Sequence, residues 1–170
     1  MEQHQNFTKI DYIASLLVII IVVIVGGLSA RSYIGEFFHS QNPPGVAAEF
    51  KDVSWSRNGR TLVFVLSTTC HFCKENAQFH RELAQYCGDH GISTLAVFPQ
   101  KTMEGISYLK KNHINVDTVR QKPILDLPVE GTPTLLLVDA EGKVRETWVG
   151  ELTPSGQKSL YTKLEQRRSF

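Results

Sequence analysis

Cys70-His71-Phe72-Cys73 stands between an apolar stretch of β type, Thr61–Leu66, and a helix-like stretch from Lys74 to about Cys87. Two thiols three positions apart at a strand-to-helix junction can close on each other. The first of them sits where a helix N-terminus stabilises a thiolate. Zinc and haem sites also use a C-x-x-C pair, but this junction favours redox chemistry.

The rest of the chain has to build a frame for that pair. It has 170 residues, enough for one ordinary domain plus an anchor. The formal net charge is +1, with both signs mixed throughout, and no basic stripe offers itself to nucleic acid. Three cysteines are too few for a disulfide scaffold and suit a dithiol plus one spare thiol. The spare, Cys87, lies just before Gly88, which reads as a helix C-cap, and is expected to be buried and inert.

The N-terminal part has a different character. From Tyr12 to Ala30 nineteen residues carry no charge, and Leu16 to Val25 are all aliphatic. At the helical rise such a run covers about 28 Å, close to the hydrocarbon thickness of a bilayer. The expected organisation is a short tail over 1–11, a transmembrane helix over 12–30, a linker over 31–45 and a globular domain over 46–170. A cleavable signal peptide is the competing reading, with small residues Gly26, Gly27, Ser29 and Ala30 around a cut. Lys9 and Arg31 nearly balance, so the positive-inside rule says little about orientation. The short tail favours an N-in, C-out protein in a bacterial cytoplasmic membrane, its domain facing the periplasm or the outside.

Within the domain, Val53–Trp55 reads as a short strand turned by Asn58-Gly59 into the strong strand 61–67. The helix after Cys73 has apolar positions at helical spacing, and a second strand covers Ile92–Phe98. A helix over Met103 to about Asn112 follows, with Ile106 and Leu109 inward. Residues 114–130 read as a short extended piece and a proline-bearing loop. Gly131-Thr132-Pro133-Thr134 then leads into a hairpin of Leu135–Val138 and Lys143–Val149. Thr153 caps a last helix with Pro154 at its first position. The order β-β-α-β-α-β-β-α implies an α/β domain with a central mixed sheet and helices on both faces.

That order, with a C-x-x-C opening the first helix and Thr132-Pro133 before a late hairpin, resembles the thioredoxin fold. More narrowly, it resembles the membrane-anchored TlpA/ResA-like thiol–disulfide oxidoreductases of bacteria, over about residues 46–168 plus the anchor. The resemblance implies a cis proline at Pro133 beside the dithiol, with Thr132 presenting its backbone to an extended substrate segment. It implies Cys70 as the exposed nucleophile and Cys73 as the buried resolving thiol, exchanging two electrons through a mixed disulfide without metal or organic cofactor. His71 is a candidate for tuning the thiolate, and Phe72 for an apolar rim where partners dock. The implied partners are proteins carrying disulfides or thiols, together with an upstream electron donor or acceptor. Reductive members of the group often carry Glu three residues after the second cysteine, where this chain has Asn76. Reduction is the expected direction, as in the anchored relatives, with oxidation or isomerisation on the same fold as the alternative.

Two further classes use similar residues. A copper or zinc carrier would bind through the two thiols with His71 or His80, or with His90 or His113 as a distant ligand; a structural zinc site wants four ligands, and there is no second C-x-x-C. A peroxidase would use Cys70 against peroxide, with Ser67 three residues upstream. The second cysteine so close by favours dithiol exchange over both.

Overall fold

Strand β1 (Arg60–Val65) is apolar from Leu62 to Val65 because it is buried on both faces at the centre of a sheet. The computed structural model describes residues 16–21, 53, 55 and 59–166. The chain divides into two units, Met1–Phe38 and His39–Phe170. In the first, residues 16–21 are α-helical with exposed side chains. The tail over 1–11, the linker over 31–45 and the rest of the apolar run lie outside the described residues. Among the described residues no helix is long and apolar enough to cross a membrane.

In the second unit β1 is followed by helices α1 (His71–Glu75) and α2 (Ala77–Asp89), then β2 (Ser93–Phe98) and α3 (Thr102–Lys111). Next come β3 (Thr118–Gln121), a 3₁₀ turn at Ile124–Asp126, the strands β4 (Thr134–Asp139) and β5 (Val144–Val149), and α4 (Pro154–Glu165). The sheet order is β3-β2-β1-β4-β5. The first three strands are mutually parallel, while β4 runs antiparallel to both β1 and β5. The expected hairpin forms, and Thr153 Oγ1 caps α4 by accepting from the Gly156 N–H at 3.2 Å.

Several expectations are corrected. Val53 has no regular structure and Trp55 lies in a 3₁₀ turn, so no strand forms at these positions. The short extended piece expected within 114–130 does form, as a strand at Thr118–Gln121, because it has the edge of β2 to pair with. Gly88 is helical, and α2 ends one residue later, at Asp89, in a Schellman motif. There Gly91 takes φ +65°, its N–H donates to the Gly88 carbonyl, and the Ile92 N–H donates to the Cys87 carbonyl. Ile106 is only half-buried; the inward face of α3 is Gly105, Tyr108 and Leu109.

The largest correction concerns the layers. Side chains of β1, β2 and β4 alternate between two cores. Leu62, Phe64, Phe98 and Leu137 point into one, and α2, α3 and α4 all pack there through Leu83, Leu109 and Leu160. The other contains Val63, Val65, Leu95 and Leu136, covered by Leu127, Val129, Val53 and Trp55. The described helices therefore share one face rather than flanking the sheet. The reason is topological: β1 to β2 and β2 to β3 step in the same direction, and right-handed crossovers put both connecting helices on the same side. Gly105 lets α3 come close, since a Cβ there would lie 2.6 Å from the Phe98 ring.

His80 is buried in this helical core, 2 % exposed, edge-on to Phe64, and its Nδ1 has no hydrogen-bond partner. Burial lowers its pKa from 6.5 to about 4, so the fold holds a neutral imidazole. Between those values the unfolded chain binds a proton that the folded chain refuses, so stability falls as pH drops from 6.5 towards 4. The gap is worth about 3 kcal/mol. Urea unfolding of wild type and His80→Leu across this range should show the variant's midpoint falling less steeply with acid; parallel slopes would refute a neutral buried imidazole.

Candidate functional site

The dithiol is assembled where β1 ends at the centre of the sheet and the chain turns into α1. The turn is held by side chains. Ser67 Oγ accepts from Gln100 Nε2 at 2.9 Å and from the Thr69 N–H at 3.3 Å, and Gln100 Oε1 accepts from the Thr68 N–H at 3.3 Å. The Cys70 N–H donates to the Ser67 carbonyl at 3.3 Å. Gln100 thereby ties the loop after β1 to the loop after β2, and Cys70 is delivered to the N-cap position of α1.

As N-cap, Cys70 does what a serine or aspartate would do: its Sγ accepts from the Cys73 N–H at 3.1 Å. In the thiol form its S–H donates to the Thr132 carbonyl at 3.3 Å. Burial opposes ionisation of Cys70, but hydrogen bonds from the Cys73 thiol, the Thr132 hydroxyl and the Cys73 and Phe72 backbone outweigh it and lower its pKa. Cys73 is wholly buried and moves the other way. Burial first, then the hydrogen bond and charge of Cys70, push it up to about 12. The two thiols are free, one half-exposed and ionisable, the other enclosed and protonated.

Thr132 and Pro133 come to the pair from the far end of the sequence, and the peptide bond between them is cis. Their loop is anchored by the Gly150 N–H on the Pro133 carbonyl at 2.8 Å and by Thr134 Oγ1 on the Gly131 carbonyl at 2.8 Å. Phe72 is 54 % exposed beside Cys70. His71 points its Nε2 at Glu75, 3.1 Å away across one helical turn in solvent, so its ring is engaged there. Asn76 is buried and donates from Nδ2 to the Phe72 carbonyl at 2.9 Å; a neutral amide closes α1 on its inner side.

Tyr108 is the site residue that local sequence patterns do not reveal. Its hydroxyl donates to the Cys73 carbonyl at 2.7 Å, from a buried position on α3. Burial and the neighbouring Cys73 and Cys70 raise its pKa, so it remains a donor. Only the shared face of α2 and α3 brings it within reach. Ser67, considered above as a peroxidase residue, spends its hydroxyl on Thr69 and Gln100.

The candidate metal ligands do not converge. His80 is enclosed in the core, His90 stacks on Tyr86 at the end of α2, and His113 follows α3, far along these helices from the dithiol. Among the described residues no three His, Cys, Asp or Glu side chains are grouped to hold an ion. Cys87 is fully buried and burial raises its pKa to about 12.

The sequence matches no protein-family model and no curated protein. The structure, however, is similar to a DsbF homologue from Corynebacterium diphtheriae, with a TM-score of 0.54 at 13 % identity over 74 % of this chain and 90 % of that one. It is also similar to a thiol:disulfide interchange protein of the thioredoxin family from Chlorobium tepidum, with a TM-score of 0.54 at 16 % identity over 73 % and 98 %. A thiol:disulfide interchange protein from a Bacteroides species gives a TM-score of 0.51 at 21 % identity over 76 % and 88 %. At these identities the likeness establishes the fold: the domain is thioredoxin-like.

Alkylation reads the asymmetry of the thiols directly, because the thiolate is the nucleophile. Iodoacetamide near neutral pH should modify Cys70 first, and Cys73 and Cys87 only after unfolding, as located by peptide mass spectrometry. Equal labelling of Cys70 and Cys73 in the folded protein would contradict the geometry.

Proposed function

We propose that this chain is a protein thiol–disulfide oxidoreductase that reduces partner disulfides through Cys70 and Cys73. The observation that carries the reading is the opposed state of the two sulfurs: a half-exposed Cys70 accepting the Cys73 N–H and an enclosed, protonated Cys73. Cys70 thiolate attacks one sulfur of the partner disulfide, the partner S–S bond breaks, and the departing sulfur takes a proton from solvent. The mixed disulfide that results removes the Cys70 charge. Two of the influences that hold Cys73 protonated, the hydrogen bond and the charge of Cys70, go with it. Cys73 then gives up its proton, attacks Cys70 Sγ and releases the second partner thiol. Two electrons and two protons have passed to the partner, and Cys70–Cys73 is left as a disulfide for an upstream dithiol donor to restore.

The cis peptide at Pro133 sets the Thr132 backbone beside the reacting sulfur, where an extended partner segment would lie against it. Phe72 supplies exposed apolar surface at the same edge. The thioredoxin-like fold, and the interchange activity named for several proteins that share it, support this assignment. Metal carriage has no comparable support, since His80, His90 and His113 sit apart from the thiols and His71 turns its Nε2 to Glu75.

We also propose that residues 12–30 hold the domain to a bacterial cytoplasmic membrane as a single span, with the domain on the periplasmic or outer side. The uncharged apolar run and the helical state of residues 16–21 within it support this reading.

Reduced protein should reduce insulin in a coupled assay, Cys70→Ala should abolish the activity, and Cys73→Ser should accumulate the mixed disulfide. A strongly negative potential for the Cys70–Cys73 couple, near or below that of thioredoxin at about −270 mV, is expected. Turnover surviving Cys70→Ala would end the mechanism, and a potential near about −120 mV would reverse its direction. For the anchor, the chain expressed in a bacterium should stay with membranes through a carbonate wash, and a membrane-impermeant maleimide should label Cys70 in intact spheroplasts. Recovery in the soluble fraction, or protection of Cys70, would refute the corresponding half.

A further inference from the structure

Beside the dithiol, between α1 and α3, runs an open groove of about 710 Å³. Thr68 of the active-site turn and Lys74 of α1 form one wall; Met103, Glu104 and Lys111 of α3 form the other, with Tyr108 between them. It belongs to the same face that carries Tyr108 to the Cys73 carbonyl, so whatever fills the groove lies against a residue bonded to the resolving cysteine. The apolar contribution is exposed: Met103 is 70 % accessible, and Phe72, one turn from the groove, is 54 % accessible.

The charge is only partly compensated: neither Lys74 nor Lys111 forms an ion pair with a carboxylate among the described residues. Glu75, the acid nearest Lys74 in sequence, is taken by His71. One acid, Glu104, stands against two lysines in the lining. A free ammonium pair with exposed apolar surface at the lip of a disulfide-exchange site calls for a polypeptide that brings carboxylates with it.

We infer that this groove receives the partner chain in the mixed disulfide, and that it selects partners carrying acidic residues next to the reactive cysteine. The inference rests on the dithiol reading above and names the substrate class it acts on. One strand of the partner leaves its cysteine over Thr132–Pro133; the other enters the groove, its carboxylates on Lys74 and Lys111 and its apolar side chains on Met103. The attraction is between exposed charges, so it discriminates modestly and is screened by salt.

The test uses the full chain, reduced and in neutral detergent. Two short synthetic peptides, each closed by one intramolecular disulfide, differ only in having Glu or Lys beside the cysteine, and their rates of oxidising the protein are compared. At low ionic strength the acidic peptide should react about fivefold faster, as expected for two exposed pairs. Salt of about 0.5 M should erase most of that preference. Lys111→Glu should remove or reverse it while leaving the reaction with neutral 2,2′-dithiodipyridine, which reports Cys70 alone, unchanged. Equal rates for the two peptides with a normal dithiodipyridine reaction, or a preference that survives Lys111→Glu undiminished, would overturn the groove and leave the dithiol chemistry standing. A dithiodipyridine reaction that persists unaltered in Cys70→Ala would instead remove the dithiol reading and the groove with it.

Discussion

The hydrogen bond from the Cys73 N–H to Cys70 Sγ joins the short helix to its exposed thiol. It makes a cysteine the cap of its own helix, so the group that stabilises the helix end is also the group that reacts. The helix concerned has only five residues before the chain breaks at Asn76. A macrodipole built over many turns is therefore not what steadies the thiolate; its influence in any case fades beyond the first turn. Local donors carry the effect: the Cys73 N–H, the Cys73 thiol and the Thr132 hydroxyl. The same proximity penalises a second charge, and Cys73 stays protonated while Cys70 is ionised. In the proposed reaction the order of events follows from that asymmetry, because the second sulfur is released for attack only when the first has ceased to be an anion.

Topology decides what surrounds this pair. Two right-handed crossovers stepping the same way across the sheet place α3 on the face of α1 and α2. Gly105 then lets α3 lie against Phe98 without a Cβ in the way, and Tyr108 reaches the Cys73 carbonyl. Replacing that hydroxyl would leave the carbonyl short of a buried donor. The position of the resolving cysteine is thus tied to a helix thirty-odd residues later, and so is the groove whose lysines stand free beside it.

What could be read in the residues is what depends on near neighbours. The C-x-x-C at the end of an apolar run, the Thr153-Pro154 start of α4 and the turn between β4 and β5 each carry their own local chemistry, and each forms where expected. The Thr132-Pro133 pair was legible only together with the dithiol, since a lone proline ahead of a strand is an ordinary turn residue. What could not be read depends on pairing at a distance. Thr118–Gln121 has little apolar pattern of its own and becomes a strand because β2 offers an open edge. With its pairing to β2 unread, the direction of the second crossover, and with it the face on which α3 lies, had no basis in the sequence. Tyr108 and Gln100 escape a sequence reading for the same reason: their partners are 35 and 32 residues away along the chain, and nothing local marks them.

Asn76 shows how a neutral residue shapes such a site. It is buried and bonded to the Phe72 carbonyl, on the inner side of the short helix that carries both cysteines. A carboxylate in that place would bring either a buried charge or a raised pKa close to Cys73 and would couple proton uptake there to the redox step. The amide does neither: it closes the helix and leaves the protons of the reaction to the two sulfurs and to solvent. Burial, the largest influence on Cys70, works against its thiolate and is overcome by hydrogen bonds alone. Enclosure and donation thus pull the Cys70 thiol in opposite directions, and donation prevails.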